Sequence, residues 1–307
     1  MRLCVLLCLH HTASAYLAGA RFSINNTACH WKRHLAFSEA ERKQTFCGEL
    51  TREKIGAWFQ SQMKSSGGSV SEDEYDCVHL RRYVLSVAAV APYLCGARNT
   101  TRVLDLASGI GAIARGVLHF FPALQQIDST SFDLRKPFPL PDGGYDLVLH
   151  NEILEHLKDL ESSRIEELSA FKASGILTNL REVARILKPG GRLFLSTPNL
   201  NSYKSIHNLL QHRHAFAFSP HPRELAFEDV AEFVRTAGLS IEVHETVNSW
   251  HNHRMAAPAV AAIQDFLKAH PQYKSTHRED DTFVIARSGA LPNAVAAGRG
   301  PGHGRAA

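Results

Sequence analysis

The sequence predicts an α/β fold in which a doubly wound, mainly parallel sheet is covered by helices on both faces. Short apolar runs that are typical of strands alternate with longer segments whose apolar residues recur at helical spacing. This alternation indicates a parallel sheet, because parallel neighbours need long crossover connections that are usually helices. The predicted strands are 102–106, 124–128, 145–150, 192–196, 241–243 and 282–286.

Two helices are predicted ahead of the first strand, where they form an N-terminal helical cap over residues 37–98. Each begins at a capping box, Ser38–Glu41 and Ser71–Glu74, in which a serine is followed three residues later by a glutamate. The first helix should run to about Met63 and the second to about Tyr93, with a break rich in serine and glycine between them. Further helices are predicted at 113–121, 177–187 and 227–237.

The charge distribution excludes some function classes. The formal net charge is +4, and no dense block of lysine and arginine appears, so the sequence gives little support to nucleic-acid binding. No segment is long and apolar enough to predict a transmembrane helix.

A nucleotide-binding arrangement follows the first predicted strand. Asp105 is followed by a loop of small residues and then by a helix. Gly109 and Gly111 allow the backbone to turn tightly and to approach a ligand, and the start of the helix offers free N–H groups. Asp128 ends the next predicted strand, where a carboxylate can accept hydrogen bonds from both hydroxyls of a ribose. The loop alone is a weak signal for a cofactor site.

Five segments that occur in one order make the prediction specific. They are VLDLASGIGAIA, FPLPDGGYDLVLHNEILEHL, ILKPGGRLFLSTPN, HPRELAFEDVAEFVRTAGL and DDTFVIARS. This series resembles the class I S-adenosylmethionine-dependent methyltransferases, in particular the branch that acts on small molecules, quinones, lipids and sugars. The resemblance covers roughly residues 79–288. It implies a Rossmann-like domain over 99–288, with a seven-stranded sheet that is parallel except for one strand near the C-terminus.

The resemblance implies S-adenosylmethionine as cofactor and a small-molecule, sugar or lipid-like compound as acceptor, with oxygen the expected target atom. An insertion at about 250–278 could form a lid or part of the acceptor pocket. The cofactor contacts that it implies are Asp105, Ala107, Ser108, Gly109, Gly111, Asn151 and Glu152, with Asp128 at the ribose and Asp133 near the adenine.

The segment between Asp128 and Asp133 departs from the family pattern. Only four residues separate them, whereas the family usually has a helix and a strand there. Either that helix-strand unit is nearly deleted, or the nucleoside contact is made by 132–134 instead of Asp128. We prefer Asp128 for the ribose. The shortening could also mark a domain that has lost its cofactor.

Candidate catalytic and acceptor-binding residues follow from the same resemblance. His150 is the candidate general base if the acceptor is a hydroxyl, because an imidazole titrates near neutral pH; the alternative is that it packs at the end of its strand or contacts the cofactor. Tyr83 could close over the cofactor or belong to the core. His221 and Arg223 are candidate acceptor contacts.

No metal site is predicted. The spacing of the late histidines fits neither a tetrahedral zinc finger nor an HExxH helix, and no cysteine or ordered carboxylate pattern joins them. A solvated, mobile loop is the preferred interpretation of this segment. The histidines concerned are His207, His212, His214 and His221.

Two other classes of function share part of this pattern. A nicotinamide-dependent oxidoreductase would explain the glycine loop and the ribose carboxylate, but it would not explain the remaining segments. A non-catalytic relative that uses the fold to bind a partner would explain the shortened 128–133 region. The oligomeric state stays open.

The cellular compartment of the protein is left undecided between the secretory pathway and the cytoplasm by the sequence. Residues 1–36 lack clear periodicity, but their first twenty resemble a weak secretory signal. In that case an even set of cysteines would remain and could form two bridges, and two sequons at 25–27 and 99–101 could carry glycans. The preferred alternative is a cytoplasmic protein with unpaired thiols, since S-adenosylmethionine is mostly used there. The tail, 289–307, is predicted to be disordered. The four cysteines are Cys29, Cys47, Cys77 and Cys95.

Overall fold

A computed structural model of the chain describes residues 35, 37–65, 70–106, 111–159, 174–218, 220–249 and 257–289. Three of the predicted cofactor contacts, Ala107, Ser108 and Gly109, lie outside these ranges, as does the predicted disordered tail from residue 290 onward. None of the helices in these ranges has both the length and the apolarity of a membrane span.

The N-terminal part consists of two long helices and a hairpin. Helix α1 (Glu39–Lys43) leads into strands β1 (Thr45–Cys47) and β2 (Leu50–Thr51), which pair in an antiparallel manner before helices α2 (Arg52–Ser65) and α3 (Val70–Leu94).

The continuous helix expected from Ser38 to Met63 is therefore wrong, although its capping box is confirmed: Ser38 and Glu41 exchange their hydrogen bonds. The helix ends at Lys43, and the chain continues as a hairpin that turns back at Gly48, where φ is +55°, a conformation that glycine adopts without strain. The side chains of the second predicted box, Ser71–Glu74, lie outside the described part.

A disulfide links this hairpin to the end of α3. Cys47 and Cys95 are bonded across 48 positions of sequence, with their Cα atoms 5.4 Å apart, and Cys77 is also disulfide-bonded. Of the two alternatives for the cysteines, the structure has the bridged one.

The main sheet contains six strands in the described residues. They are β3 (Val103–Asp105), β4 (Asp128–Ser129), β5 (Tyr145–Asn151), β6 (Leu187–Pro198), β7 (Leu239–Val247) and β8 (Asp281–Ser288). Their order is β4-β3-β5-β6-β8-β7, and the four on the β4 side are parallel. Strand β8 is antiparallel to both its neighbours, as expected for one of the last two strands.

The expected seventh strand is not found in the described residues. The connection from β4 to β5, residues 130–144, is fully described and contains neither helix nor strand. Strand β4 itself has two residues and begins at Asp128, because the chain ahead of it forms a 3₁₀ turn at Pro122–Leu124 instead of a strand. The shortening seen in the sequence thus removes the second crossover and leaves β4 as the edge of the sheet.

Helices cover both faces of this sheet. They are α4 (Ala112–Phe120), α5 (Gly175–Ile186), α6 (Tyr203–Leu210), α7 (Phe227–Thr236) and α8 (Ala257–Ala269). Along β5, Leu147 and Leu149 join a core with α2, α3 and α4, whereas Val148 joins a second core with α5 and α7. This split follows from the two-residue period of a strand. The helices predicted as a cap are therefore one of the two layers that cover the sheet.

Helices α6 and α8 form a smaller unit of their own. Tyr203 of α6 packs against Ile263 and Leu267 of α8. Helix α6 carries His207, so this part of the segment predicted as a mobile loop is helical, and α8 occupies residues 257–269 of the predicted insertion. Both helices bury one apolar side against the other.

Candidate functional site

The candidate site lies at the carboxyl edge of the parallel strands. Strands β3, β5 and β6 run in the same direction and end at Asp105, Asn151 and Pro198. Ligands of open α/β sheets bind beyond this edge, where loops and helix N-termini converge.

Asp105 links the end of β3 to the start of α4. Its carboxylate is 3% exposed and accepts a hydrogen bond of 3.2 Å from the amide of Gly111, the N-cap of α4. A Cβ on Gly111 would lie 3.4 Å from that carboxylate oxygen. Asp105 and Gly111 therefore meet at the carboxyl edge of the sheet.

Asp128 is directed toward the opposite edge. Its carboxylate accepts hydrogen bonds from the Arg102 guanidinium at 2.7 Å and from the Tyr145 hydroxyl at 3.0 Å. Arg102 precedes β3 and Tyr145 begins β5, so both partners belong to the amino ends of the strands. This position does not suit a ribose bound at the carboxyl edge.

Asp133 lies in the loop that follows β4, beside the carboxyl end of β5. Arg135 donates to it through its backbone amide at 3.0 Å and through its side chain at 2.9 Å, and these bonds lower the pKa of Asp133. The next residue, Leu134, accepts a hydrogen bond of 3.1 Å from the Asn179 amide. Asn179 also contacts His150, so this loop is fixed near the end of β5.

His150 is completely buried, with 0% exposure. Its Nε2 lies 2.7 Å from the Asn179 side-chain oxygen. Because the Asn179 amide nitrogen donates elsewhere, its oxygen faces the ring and Nε2 carries the proton. Burial lowers the pKa of His150 to about 4, which keeps the ring neutral at neutral pH. These contacts fit the packing role rather than that of a general base.

Glu152 is held by two other elements. Its carboxylate pairs with Arg82 of α3 at 2.8 Å and accepts a hydrogen bond from the Ser196 hydroxyl of β6 at 2.8 Å. Its φ is +50°, and its amide donates to the Ser196 carbonyl at 2.9 Å. The preceding residue, Asn151, has a buried side-chain oxygen without a hydrogen-bond partner. The end of β5 is therefore rigid and polar.

Glu155 and His156 follow in a 3₁₀ turn, Leu154–His156. Glu155 is 1% exposed and accepts a hydrogen bond of 2.9 Å from the Thr197 hydroxyl. Burial, together with the neighbouring Glu152 carboxylate, raises the pKa of Glu155 well above its usual value. The His156 ring lies 4.8 Å from that of His221, measured between centroids, at an angle of 87°.

The predicted acceptor contacts are placed differently from one another. His221 is buried and bonded to Glu224 at 2.7 Å, beside the turn after β5. Arg223 is partly exposed and pairs with Asp159 at 2.7 Å. Tyr83 is buried in the core shared by α2 and α3, with its ring 5.6 Å from that of Phe59, which fits the core alternative.

Sequence reasoning missed several polar residues at this edge. A signal was available for some of them, because Ser196 and Thr197 end a matched segment and Arg82 stands next to Tyr83. No local pattern marked Asn179 or Glu224, since their partners are set by tertiary contacts. The missed residues are Arg82, Asn179, Ser196, Thr197 and Glu224.

The chain is similar in sequence to methyltransferases. A family model described as a methyltransferase domain matches residues 87–244, just over half of the chain. A protein of Mycolicibacterium smegmatis, named as a probable S-adenosylmethionine-dependent methyltransferase, is 29% identical over 119 residues. That match spans 38% of this chain and 37% of the curated relative, so the chain spans well under two thirds of that protein.

Solved structures of methyltransferases resemble the chain at low identity. A complex between the Haloferax volcanii Trm112 methyltransferase activator and a methyltransferase gives a TM-score of 0.45, with 15% identity over 77% of this chain and 98% of that one. An Archaeoglobus fulgidus SAM-dependent methyltransferase gives 0.42, with 15% identity over 75% and 99%. Haemonchus contortus phosphoethanolamine N-methyltransferase 2 with S-adenosyl-L-methionine gives 0.44, with 14% identity over 75% and 60%.

Proposed function

Because the chain belongs to the methyltransferase domain family, we propose that it transfers the methyl group of S-adenosylmethionine to a small molecule. The acceptor class we propose is a small molecule, sugar or lipid-like compound, methylated at oxygen. The five sequence segments support the branch of the family that acts on small molecules, quinones, lipids and sugars. An activity screen must identify the acceptor itself.

The observation that carries this proposal is the contact between Asp105 and Gly111 at the carboxyl edge. It combines a buried carboxylate with a helix start whose close approach suits glycine. The unpartnered side-chain oxygen of Asn151 offers a further polar contact at the same edge. These groups fit the polar methionine half of the cofactor, which resembles a free amino acid.

The cofactor supplies a methyl group on a positively charged sulfur, which is already a good leaving group. The chain's own residues then have to bind and orient the two reactants and exclude water. The ion pair and hydrogen bonds around Glu152 support this role, because they fix the backbone at the end of β5. His150 is too deeply buried to take a proton from an acceptor, so we assign it the role of holding the 133–134 loop through Asn179.

For the nucleoside we propose Asp133 in place of Asp128. Asp133 belongs to the loop fixed beside the end of β5, whereas Asp128 is engaged by Arg102 and Tyr145 at the amino ends of the strands. This choice adopts the second alternative left open by the sequence. The absence of a second crossover between β4 and β5 supports a more open adenine side.

Isothermal titration with S-adenosylmethionine and S-adenosylhomocysteine tests the proposal, with NAD as control ligand. Asp105→Ala and Asp133→Asn should each weaken binding by about 10-fold or more, the effect of losing a hydrogen bond to a charged group. Asp128→Asn is the matched control and should bind as the wild type. Transfer of labelled methyl groups to a panel of small-molecule, sugar and lipid acceptors would then identify the acceptor.

Two outcomes would reject the proposal. A folded protein that binds neither sulfonium nor thioether cofactor would favour the non-catalytic alternative. Binding of NAD alone would favour an oxidoreductase. If Asp128→Asn rather than Asp133→Asn loses affinity, the ribose assignment returns to Asp128.

We also propose that the chain folds in an oxidising compartment. The Cys47–Cys95 bond and the half-cystine Cys77 support this location, because disulfides persist in secreted proteins and are rare in the cytosol. This reverses the cytoplasmic preference drawn from the cofactor.

A further inference from the structure

Three potential metal ligands from two distant parts of the chain meet at the carboxyl edge of the sheet. Glu155 and His156 belong to the turn after β5, and His221 precedes α7. One ligand atom of each lies within 4.8 Å of the other two. The distance between Glu155 Oε1 and His156 Nε2 is 3.9 Å.

Glu155 contributes an oxygen whose hydrogen-bonding capacity is unused. One carboxylate oxygen accepts from Thr197, but Oε1 is buried and has no hydrogen-bond partner. Leaving such an atom unsatisfied costs about 1–3 kcal/mol, and more for a charged group. The residue is 1% exposed, so bulk water cannot compensate it. A cation at this point would satisfy the oxygen and stabilise the ionised form of the carboxylate.

His221 is oriented by the carboxylate of Glu224. Its Nδ1 lies 2.7 Å from Glu224, which leaves Nε2 as the nitrogen available to a ligand. Glu224 is itself fixed by backbone amides, those of Ala217 at 2.8 Å and Phe218 at 3.2 Å. Carboxylates that hold one imidazole nitrogen while the other binds a metal are typical of protein metal sites.

We propose that Glu155, His156 and His221 bind one divalent transition-metal ion, with Zn²⁺ the best match. Two imidazole nitrogens and one carboxylate oxygen are a donor set that zinc accepts, and three protein ligands leave a fourth position open. Tetrahedral bonds of about 2.0–2.1 Å place ligand atoms about 3.4 Å apart. The three ligand atoms therefore have to move about 1 Å closer to one another. The His156 side chain is 48% exposed and can make this movement.

The sequence predicted no metal because it grouped His221 with the histidines nearest to it along the chain. His207, His212 and His214 are not in the cluster. The partners of His221 come instead from the turn that follows β5. This proposal does not depend on the proposed methyl transfer.

Metal binding by the full chain tests the proposal, using protein with a tag that contains no histidine. Elemental analysis after dialysis against Zn²⁺ should give one zinc per chain. Chelator competition should show that Glu155→Gln, His156→Gln and His221→Gln each weaken Zn²⁺ binding by about 100-fold or more, and that Glu224→Gln weakens it by about 10–100-fold. His207→Gln is the matched control and should bind as the wild type.

Cobalt provides a second measurement on unmutated protein. Co²⁺ in a tetrahedral site of four ligands absorbs visible light far more strongly than the hexahydrated ion, and excess Zn²⁺ should remove this intense absorption. His156→Gln changes a half-exposed residue and should leave the circular dichroism spectrum unaltered while losing this absorption. Wild-type protein that takes up neither metal would overturn the proposal, as would ligand variants that bind like His207→Gln.

Discussion

Arg82 of α3 and Glu152, the residue after β5, form an ion pair of 2.8 Å whose side chains are only 6% and 14% exposed. The contact joins a covering helix to the carboxyl edge of the sheet. Glu152 also accepts from Ser196, and its φ of +50° is one that residues other than glycine rarely adopt. The ion pair and this strained position therefore support one another.

Arg82→Met should destabilise the protein by about 3 kcal/mol, because it leaves the Glu152 carboxylate nearly buried without its cation. The double variant Arg82→Met, Glu152→Gln should recover part of this loss of stability. Urea unfolding of the wild type, the two single variants and the double variant should then give a coupling energy of about 1–3 kcal/mol. The exposed pair Lys54–Glu49 is the control, and Lys54→Met should change stability by less than about 0.5 kcal/mol. Additive single effects would show that Arg82 and Glu152 are not coupled.

The stability of the protein should fall as the pH drops from 7.5 to 5, in part because of His150. Its pKa is about 4 in the folded chain and about 6.5 when unfolded. Above pH 6.5 both states are neutral and the residue contributes no pH dependence; below it, the unfolded state takes up a proton that the folded state does not. At pH 5 this difference lowers the free energy of unfolding by about 2 kcal/mol.

Urea unfolding at both pH values measures this effect. His150→Gln should lower stability at pH 7.5 but reduce the loss on going to pH 5, whereas the same change at exposed His214 should leave the loss unchanged. An equal pH dependence in wild type and His150→Gln would contradict the burial argument.

Gly116→Ala should destabilise the protein by about 1–3 kcal/mol. A Cβ there would lie 2.8 Å from Phe59 and 3.1 Å from Val87, so α4 could no longer pack as closely on α2 and α3. This cost exceeds the gain of about 0.5–1 kcal/mol that alanine brings to a helix. Thermal unfolding should show the loss, and Phe59→Leu in the same chain should restore part of it. Gly96→Ala, where no atom lies within 4 Å, is the control; a more stable Gly116→Ala would refute the packing argument.

Replacing both Cys47 and Cys95 by serine should lower the free energy of unfolding by about 2–4 kcal/mol, because the unfolded chain regains the entropy of a long loop. Cys47→Ser alone should have the same effect, since either change removes the bond. Peptide mapping without reductant should find the two cysteines linked. Free thiols at both positions in freshly isolated protein would argue for the cytoplasmic alternative.

The sequence by itself determined most of the strands of the main sheet and the helices near 113–121, 177–187 and 227–237, but it missed the hairpin after α1 and the helices α6 and α8. The two-residue period of a strand places Leu147 and Leu149 in one core and Val148 in the other. The position of Asp105 and Gly111 at the carboxyl edge was predictable as well, since it depends on one strand, one loop and one helix. Such features are local, so periodicity and spacing encode them.

Only the tertiary structure decided where the polar side chains are directed. Asp128 is bound by residues 26 and 17 positions away, and His150 by one 29 positions away. His221 lies beside Glu155 and His156 only because β5 and the start of α7 meet at one edge of the sheet. A side chain's direction depends on the partner that satisfies it, and spacing along the chain does not record contacts made across the fold.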